Sequence, residues 1–172
     1  LKVNSCFDRE VSDYNNGELN QFVPYIYQKI QKQFLPFGYD AKKVDGYIFK
    51  SNSAPVKRIK QSQDFKNILA KNIDNIQEGQ IFNARFSNPG WRGSNLYNAF
   101  GSVDFLCAGY DKKGNLRLYM FDTYDFNRGE NAKVEAARRQ MMQGKLKGYY
   151  TIHEILISPS ELDSILRSIN KE

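Results

Sequence analysis

At 172 residues the chain can bury one sizeable core and has little room for a second, so a single domain is expected. Apolar residues at 41% and aromatics at 14% exclude a disordered chain, and a net charge of +6 admits anionic partners, nucleic acid among them, or plain solubility. Cys6 and Cys107 are too few for a structural zinc site or a disulfide framework, and no apolar run is long enough for a transmembrane segment.

Residues 1–17 are polar and rich in Asn, Asp and Ser, and together with a first residue that is Leu rather than Met they read as an arm or linker from a longer protein. The globular domain is expected over residues 18–172. No basic-then-apolar leader is visible, so delivery as part of a larger, secreted protein is the expected route. A first helix is marked by Leu19, Phe22, Val23, Ile26, Tyr27, Ile30 and Phe34 at spacings of three and four, with Pro24 in its first turn and Pro36 near its end. Gly46-Tyr-Ile-Phe49 reads as a short strand, and Lys57, Arg58 and Lys60 as a basic patch on mixed sequence.

Ser62 is an N-cap candidate for a second helix through Phe65, Ile68, Leu69, Ile73 and Ile76 to Gly79. Gln80 to Ser87 alternates as a strand does, and Asn88-Pro-Gly90 turns. Gly101–Tyr110 and Asn115–Asp125 flank Asp111-Lys-Lys-Gly114, which predicts a hairpin with a bulged or type I turn. Glu130–Gln143 carries acidic residues early and Arg138 and Arg139 late, the order that suits a helix dipole, and Gly144 closes it. Tyr149–Ile157 reads as a strand. Ser158-Pro-Ser-Glu161 then forms a capping box that opens a helix with Leu162, Ile165, Leu166 and Ile169 inward. The order ααβββαβα points to an α+β fold, with helices packed on a mainly antiparallel β-sheet that contains a long central hairpin.

Chemistry is expected at the end of the outgoing hairpin strand. Leu116, Leu118 and Met120 share one face by the two-residue strand period, and Asp122 and Tyr124 follow on that face. An apolar face that ends in a carboxylate and a phenol resembles a pocket rim, because a charge buried deeper without a partner costs several kcal/mol. Asp125 would converge with Asp122 if the strand ends or bulges at Tyr124. Two neighbouring carboxylates hold a divalent cation or share a proton, and both arrangements serve hydrolysis. The plainer alternative is that they pair with Arg128, Arg138 or Arg139, while Asp125-Phe-Asn127 caps the next helix. Trp91 and Arg92, in Asn88-Pro-Gly-Trp-Arg-Gly93, would suit a substrate loop as an apolar platform and a phosphate ligand, or form a turn with one packed Trp.

Two further residues have plainer readings. His153 alternates with Thr151 and Ile155 and is expected to be an ordinary hydrogen-bonded histidine. Cys107, in phase with Val103 and Phe105, is expected to be a small buried apolar residue, not bridged to Cys6.

The segment from Gly101 to Asn127, with its ending Asp122-Thr-Tyr-Asp-Phe-Asn127, resembles the catalytic region of the colicin M family. That family's signature is Asp-x-Tyr-Asp followed after five residues by His-Arg. Asp122, Tyr124 and Asp125 match the first half, and Asn131 and Ala132 stand at the His and Arg positions. Arg128, Arg138 and the single histidine, His153, are stand-ins by residue type. The resemblance implies a toxin domain that hydrolyses the lipid II peptidoglycan precursor between lipid and pyrophosphate with the aid of Mg²⁺. It further implies Asp122, Tyr124, Asp125 and Arg128 as catalytic residues, with Asp122 and Asp125 as metal ligands or one of them as general base, Tyr124 positioning a phosphate oxygen or the partner carboxylate, Asn127 beside the substrate, the periplasm as the site of action, and an immunity protein as a partner. Two alternatives stand beside it. One is a nucleic-acid binder or nuclease, favoured by Lys57, Arg58, Lys60, Arg138, Arg139, Lys145 and Lys147 and interleaved aromatics, and the other a non-catalytic interaction domain.

Overall fold

The computed structural model describes residues 2–3, 23–34, 45–86, 102–124, 135–136, 139–140, 142–143 and 149–170. Its strands are β1 (Lys2–Val3), β2 (Asp45–Phe49), β3 (Ile81–Arg85), β4 (Ser102–Tyr110), β5 (Leu116–Tyr124) and β6 (Tyr149–Ile157). Its helices are α1 (Val23–Phe34), α2 (Ala54–Gln61), α3 (Gln63–Asn72) and α4 (Pro159–Asn170). The strands form one six-stranded sheet in the order β1-β2-β6-β5-β4-β3, and the pairs β1–β2, β3–β4 and β4–β5 are antiparallel. The fold is α+β, as the alternation of helix and strand patterns predicts. The chain divides into two compact units, 1–48 with 122–151, and 49–121 with 152–172.

The second unit owns a continuous apolar core. Leu116, Leu118 and Met120 from β5 meet Val103, Phe105 and Cys107 from β4, with Ile155 and Ile157 of β6 and Phe65, Leu69 and Ile165 from the helices. Phe105 is central to the ring packing, tilted against Phe65 at 6.2 Å and stacked on Phe82 at 5.2 Å. Both faces of β5 are buried: Tyr119 and Phe121 are 1% and 2% exposed, although the sequence marks only the Leu116–Leu118–Met120 face as apolar. Cys107 is a free, buried thiol whose titration burial pushes up, as a small apolar residue there requires; Cys6 lies outside the described residues.

The β4–β5 connection is built on Asp111. Its Oδ1 accepts the backbone N–H groups of Lys113 and Asn115, and its Oδ2 accepts from the Asn115 amide. Gly114, at φ 82°, adopts the left-handed conformation that closes the turn. The irregularity lies earlier than the turn. Between Cys107 and Tyr110 the register slips by one residue, and Gly109 takes φ 78° there.

Two boundaries differ from the sequence reading. Residues 54–61 form a helix, α2, where mixed sequence with a basic patch was expected; only Val56 and Ile59 mark its buried side, too few for a periodic signal. Ser62 does cap α3, accepting the N–H of Phe65, but regular helix ends at Asn72 and a 3₁₀ turn over Ile73–Asn75 replaces the expected run to Gly79. At the C-terminal helix the capping box is formed as expected, with the Glu161 N–H donating to Ser158 Oγ. Ile165 is buried in the core, with Leu162 and Ile169 packed against it.

In the first unit Ile26 and Ile30 are the buried face of α1, and Pro24 sits in its first turn. Leu19 and Phe22 of the expected longer helix lie outside the described residues. Lys2 and Val3, expected within a polar arm, pair with Tyr47 and Gly46 of β2. Gly46 is required for space, since a Cβ there would overlap the ring of Tyr150, which is 1% exposed and has no room to withdraw. Gly46→Ala should therefore destabilise the protein by about 1–3 kcal/mol, read as a lower denaturant midpoint. An unchanged midpoint would show that Tyr150 can move.

Candidate functional site

Two strands carry the same gradient along one face. On β5, Leu116, Leu118 and Met120 are 0–1% exposed, and half-buried Asp122 comes next in phase. On β6, Ile157 and Ile155 are followed in phase by His153, Thr151 and finally Tyr149, which is 37% exposed. On both strands the in-phase row thus passes from apolar to polar side chains.

The polar ends meet. Burial raises the Tyr149 phenol above its ordinary range, and the nearby Tyr47 and Asp122 add to the rise. Tyr47 and Tyr149 pack edge to face, with ring centroids 5.8 Å apart at 82°. Asp122 Oδ1 accepts the N–H of Thr123 at 2.9 Å, which fixes the carboxylate at the start of the last stretch of β5. Thr151 is 6% exposed, and its Oγ1 has no hydrogen-bond partner among the described residues. An orphaned buried hydroxyl is uncommon in a folded protein and is the kind of group a ligand or water completes. Asp122, Tyr47, Tyr149 and Thr151 all belong to the first unit.

Of the residues the sequence singles out, Asp122 stands in this cluster and Tyr124 ends β5 by its backbone. Asp125, Asn127, Arg128, Trp91, Arg92 and Arg138 lie outside the described residues. Tyr47, Tyr149 and Thr151 are additions that sequence reading did not single out. His153 has a different place. It is 1% exposed, stacks on Phe49 with centroids 4.9 Å apart, and hydrogen-bonds the Met120 backbone. That is the ordinary buried histidine expected.

Among the described residues no group of three or more His, Cys, Asp or Glu side chains gathers as a metal cage. Mg²⁺ does not need one, since one or two carboxylates, water and substrate phosphate complete its octahedron. Of the two carboxylates that the sequence offers to such a cation, Asp122 is among the described residues and Asp125 is not. Comparison with protein-family models, with curated proteins and with solved structures finds no match for this chain.

Proposed function

We propose that this chain is a metal-assisted phosphoester hydrolase of the colicin M type, cleaving the lipid II peptidoglycan precursor as an antibacterial toxin domain. The observation that carries the reading is the position of Asp122. The first residue of the Asp122-x-Tyr124-Asp125 motif ends the in-phase row of β5 near the phenol of Tyr149, against which Tyr47 packs, and in the same unit as the orphaned Thr151 hydroxyl.

Asp122 and Asp125 would hold Mg²⁺, which when bound neutralises phosphate charge and activates water. The Tyr149 phenol is protonated at neutral pH, as a phenol ordinarily is, and would donate a hydrogen bond to a phosphate oxygen or to the carboxylate beside it. Tyr124 positions the same groups from the end of β5, and Arg128 and Asn127, just beyond, contact the pyrophosphate, with Trp91 and Arg92 as a further substrate loop. The domain is delivered within a larger protein and acts in the periplasm, with an immunity protein protecting the producer.

Two results test the reading. Export of the domain to the periplasm should lyse cells, whereas expression in the cytoplasm should not; equal toxicity in both compartments contradicts it. Exhaustive chelation should abolish the activity and added Mg²⁺ should restore it, whereas full activity in chelator removes the metal from the proposal.

A further inference from the structure

Residues of helices α2, α3 and α4 in the second unit line an open groove of about 490 Å³ that is rich in charge. Lys57 and Lys60, three residues apart on α2, and Lys66 on α3 line it from one side. Ser160 and Ser164, four apart on α4, line the other, above the apolar side chain of Ile165. The single acidic residue of the lining, Glu161, is already committed. It pairs with Lys60 at 2.7 Å, and that ammonium also donates to the Leu156 carbonyl at 2.7 Å. Lys60 and Glu161 therefore cancel, and the Glu161 carboxyl is held below its ordinary range: burial pulls it up, and the Lys60 and Ser158 hydrogen bonds outweigh that.

Two charges remain. Among the described residues neither Lys57 nor Lys66 has a carboxylate partner, so the groove presents two uncompensated ammonium groups facing two hydroxyl-bearing residues. Lysine ammonium groups take a phosphate as compact point charges, and a dianion engages two of them at once. The volume lies within the range of small-molecule sites, roughly 300–1,000 Å³, and exceeds what a bare phosphate fills.

We infer that this groove binds a phosphate monoester of a small organic molecule, its dianion held by Lys57 and Lys66 with hydrogen bonds from Ser160 and Ser164, and its organic part against Ile165. The groove lies wholly in residues 49–121 and 152–172, whereas Asp122 belongs to the other unit, so this inference stands independently of the hydrolase reading.

The test is amide NMR on the full chain, titrated with inorganic phosphate, phenyl phosphate and a single-stranded oligonucleotide. Phenyl phosphate should give saturable shifts centred on Ser160, Ser164 and Lys66, and should bind more tightly than inorganic phosphate. Replacing both lysines, Lys57→Gln with Lys66→Gln, should weaken phenyl phosphate about 10- to 100-fold. Lys57→Gln alone, at an exposed position, should weaken it less and leave the melting temperature unchanged. The matched pair Lys112→Gln with Lys113→Gln, exposed in the hairpin turn, should have no effect. Three results would overturn the inference: no saturable shifts, equal weakening by both double variants, or binding of the oligonucleotide through the same lysines in place of the monoester.

Discussion

Asp122→Asn should abolish killing while leaving the protein folded, and Asp125→Asn should do the same. Asn nearly matches Asp in shape and can still accept the Thr123 N–H through its amide oxygen, so the end of β5 keeps its local bond. The β4–β5 ladder and the Leu116–Leu118–Met120 face use neither charge. A metal ligand or general base needs the anionic oxygen that Asn lacks, and its loss lowers rates by about 10² to 10⁴. If Asp122 served only structure, the outcome would reverse. An exposed ion pair contributes about 0–1 kcal/mol, so activity would survive with a slightly lower melting temperature. The Tyr149 phenol supplies a second readout, because removing the Asp122 charge should lower its pKa toward the ordinary value.

Acidification should destabilise the fold through one residue. Burial pushes the His153 imidazole down to about 4 from 6.5, partly opposed by its hydrogen bond to the Met120 backbone. The unfolded chain then binds a proton below pH 6.5 that the folded chain refuses until about pH 4. Stability from this group is therefore complete above pH 6.5 and declines as pH falls toward 4, by roughly 3 kcal/mol in all. Most of that decline, about 2 kcal/mol, falls above pH 5, before ordinary carboxylates titrate. Because the chain has a single histidine, its ring resonances report the folded-state titration without assignment. Denaturation midpoints between pH 7 and 5 should fall for the native chain and stay flatter for His153→Phe, which keeps a ring on Phe49. A resonance that titrates near 6.5 would contradict the buried placement.

The fold was legible wherever a local signal carries the physics. Ser158-Pro-Ser-Glu161 announces a helix because its cap satisfies backbone donors within a few residues, and Tyr149–Ile157 is strand from end to end as read. Asp111 and Gly114 mark the β4–β5 turn for the same reason, since the side-chain cap and the left-handed glycine are both local. Helix α2 escaped because its buried side is only Val56 and Ile59, and the Lys57-Arg58 and Lys60 charges between and beyond them mask so short a period. The bulge at Gly109 escaped because the slip exists only relative to Leu116 and Leu118 on the partner strand.

The site divides along the same line. The place of Asp122 in the β5 row follows from the phase of its own strand. Tyr47 and Tyr149 do not, because the nearness of Tyr149 to Asp122 and to Tyr47 depends on the order β2-β6-β5, a long-range pairing that no local pattern encodes. Thr151 became informative only through what it lacks, a partner for a buried hydroxyl.

The proposed reaction is cleavage of lipid II at the carboxylate end of β5. The most direct measurement incubates the purified chain with lipid II and Mg²⁺ and separates the products by mass. Release of the pyrophosphorylated head group by the native chain, its absence in chelator and its absence with Asp122→Asn are the results expected. Intact lipid II after incubation with folded native protein and Mg²⁺, or equal cleavage by Asp122→Asn, would contradict it.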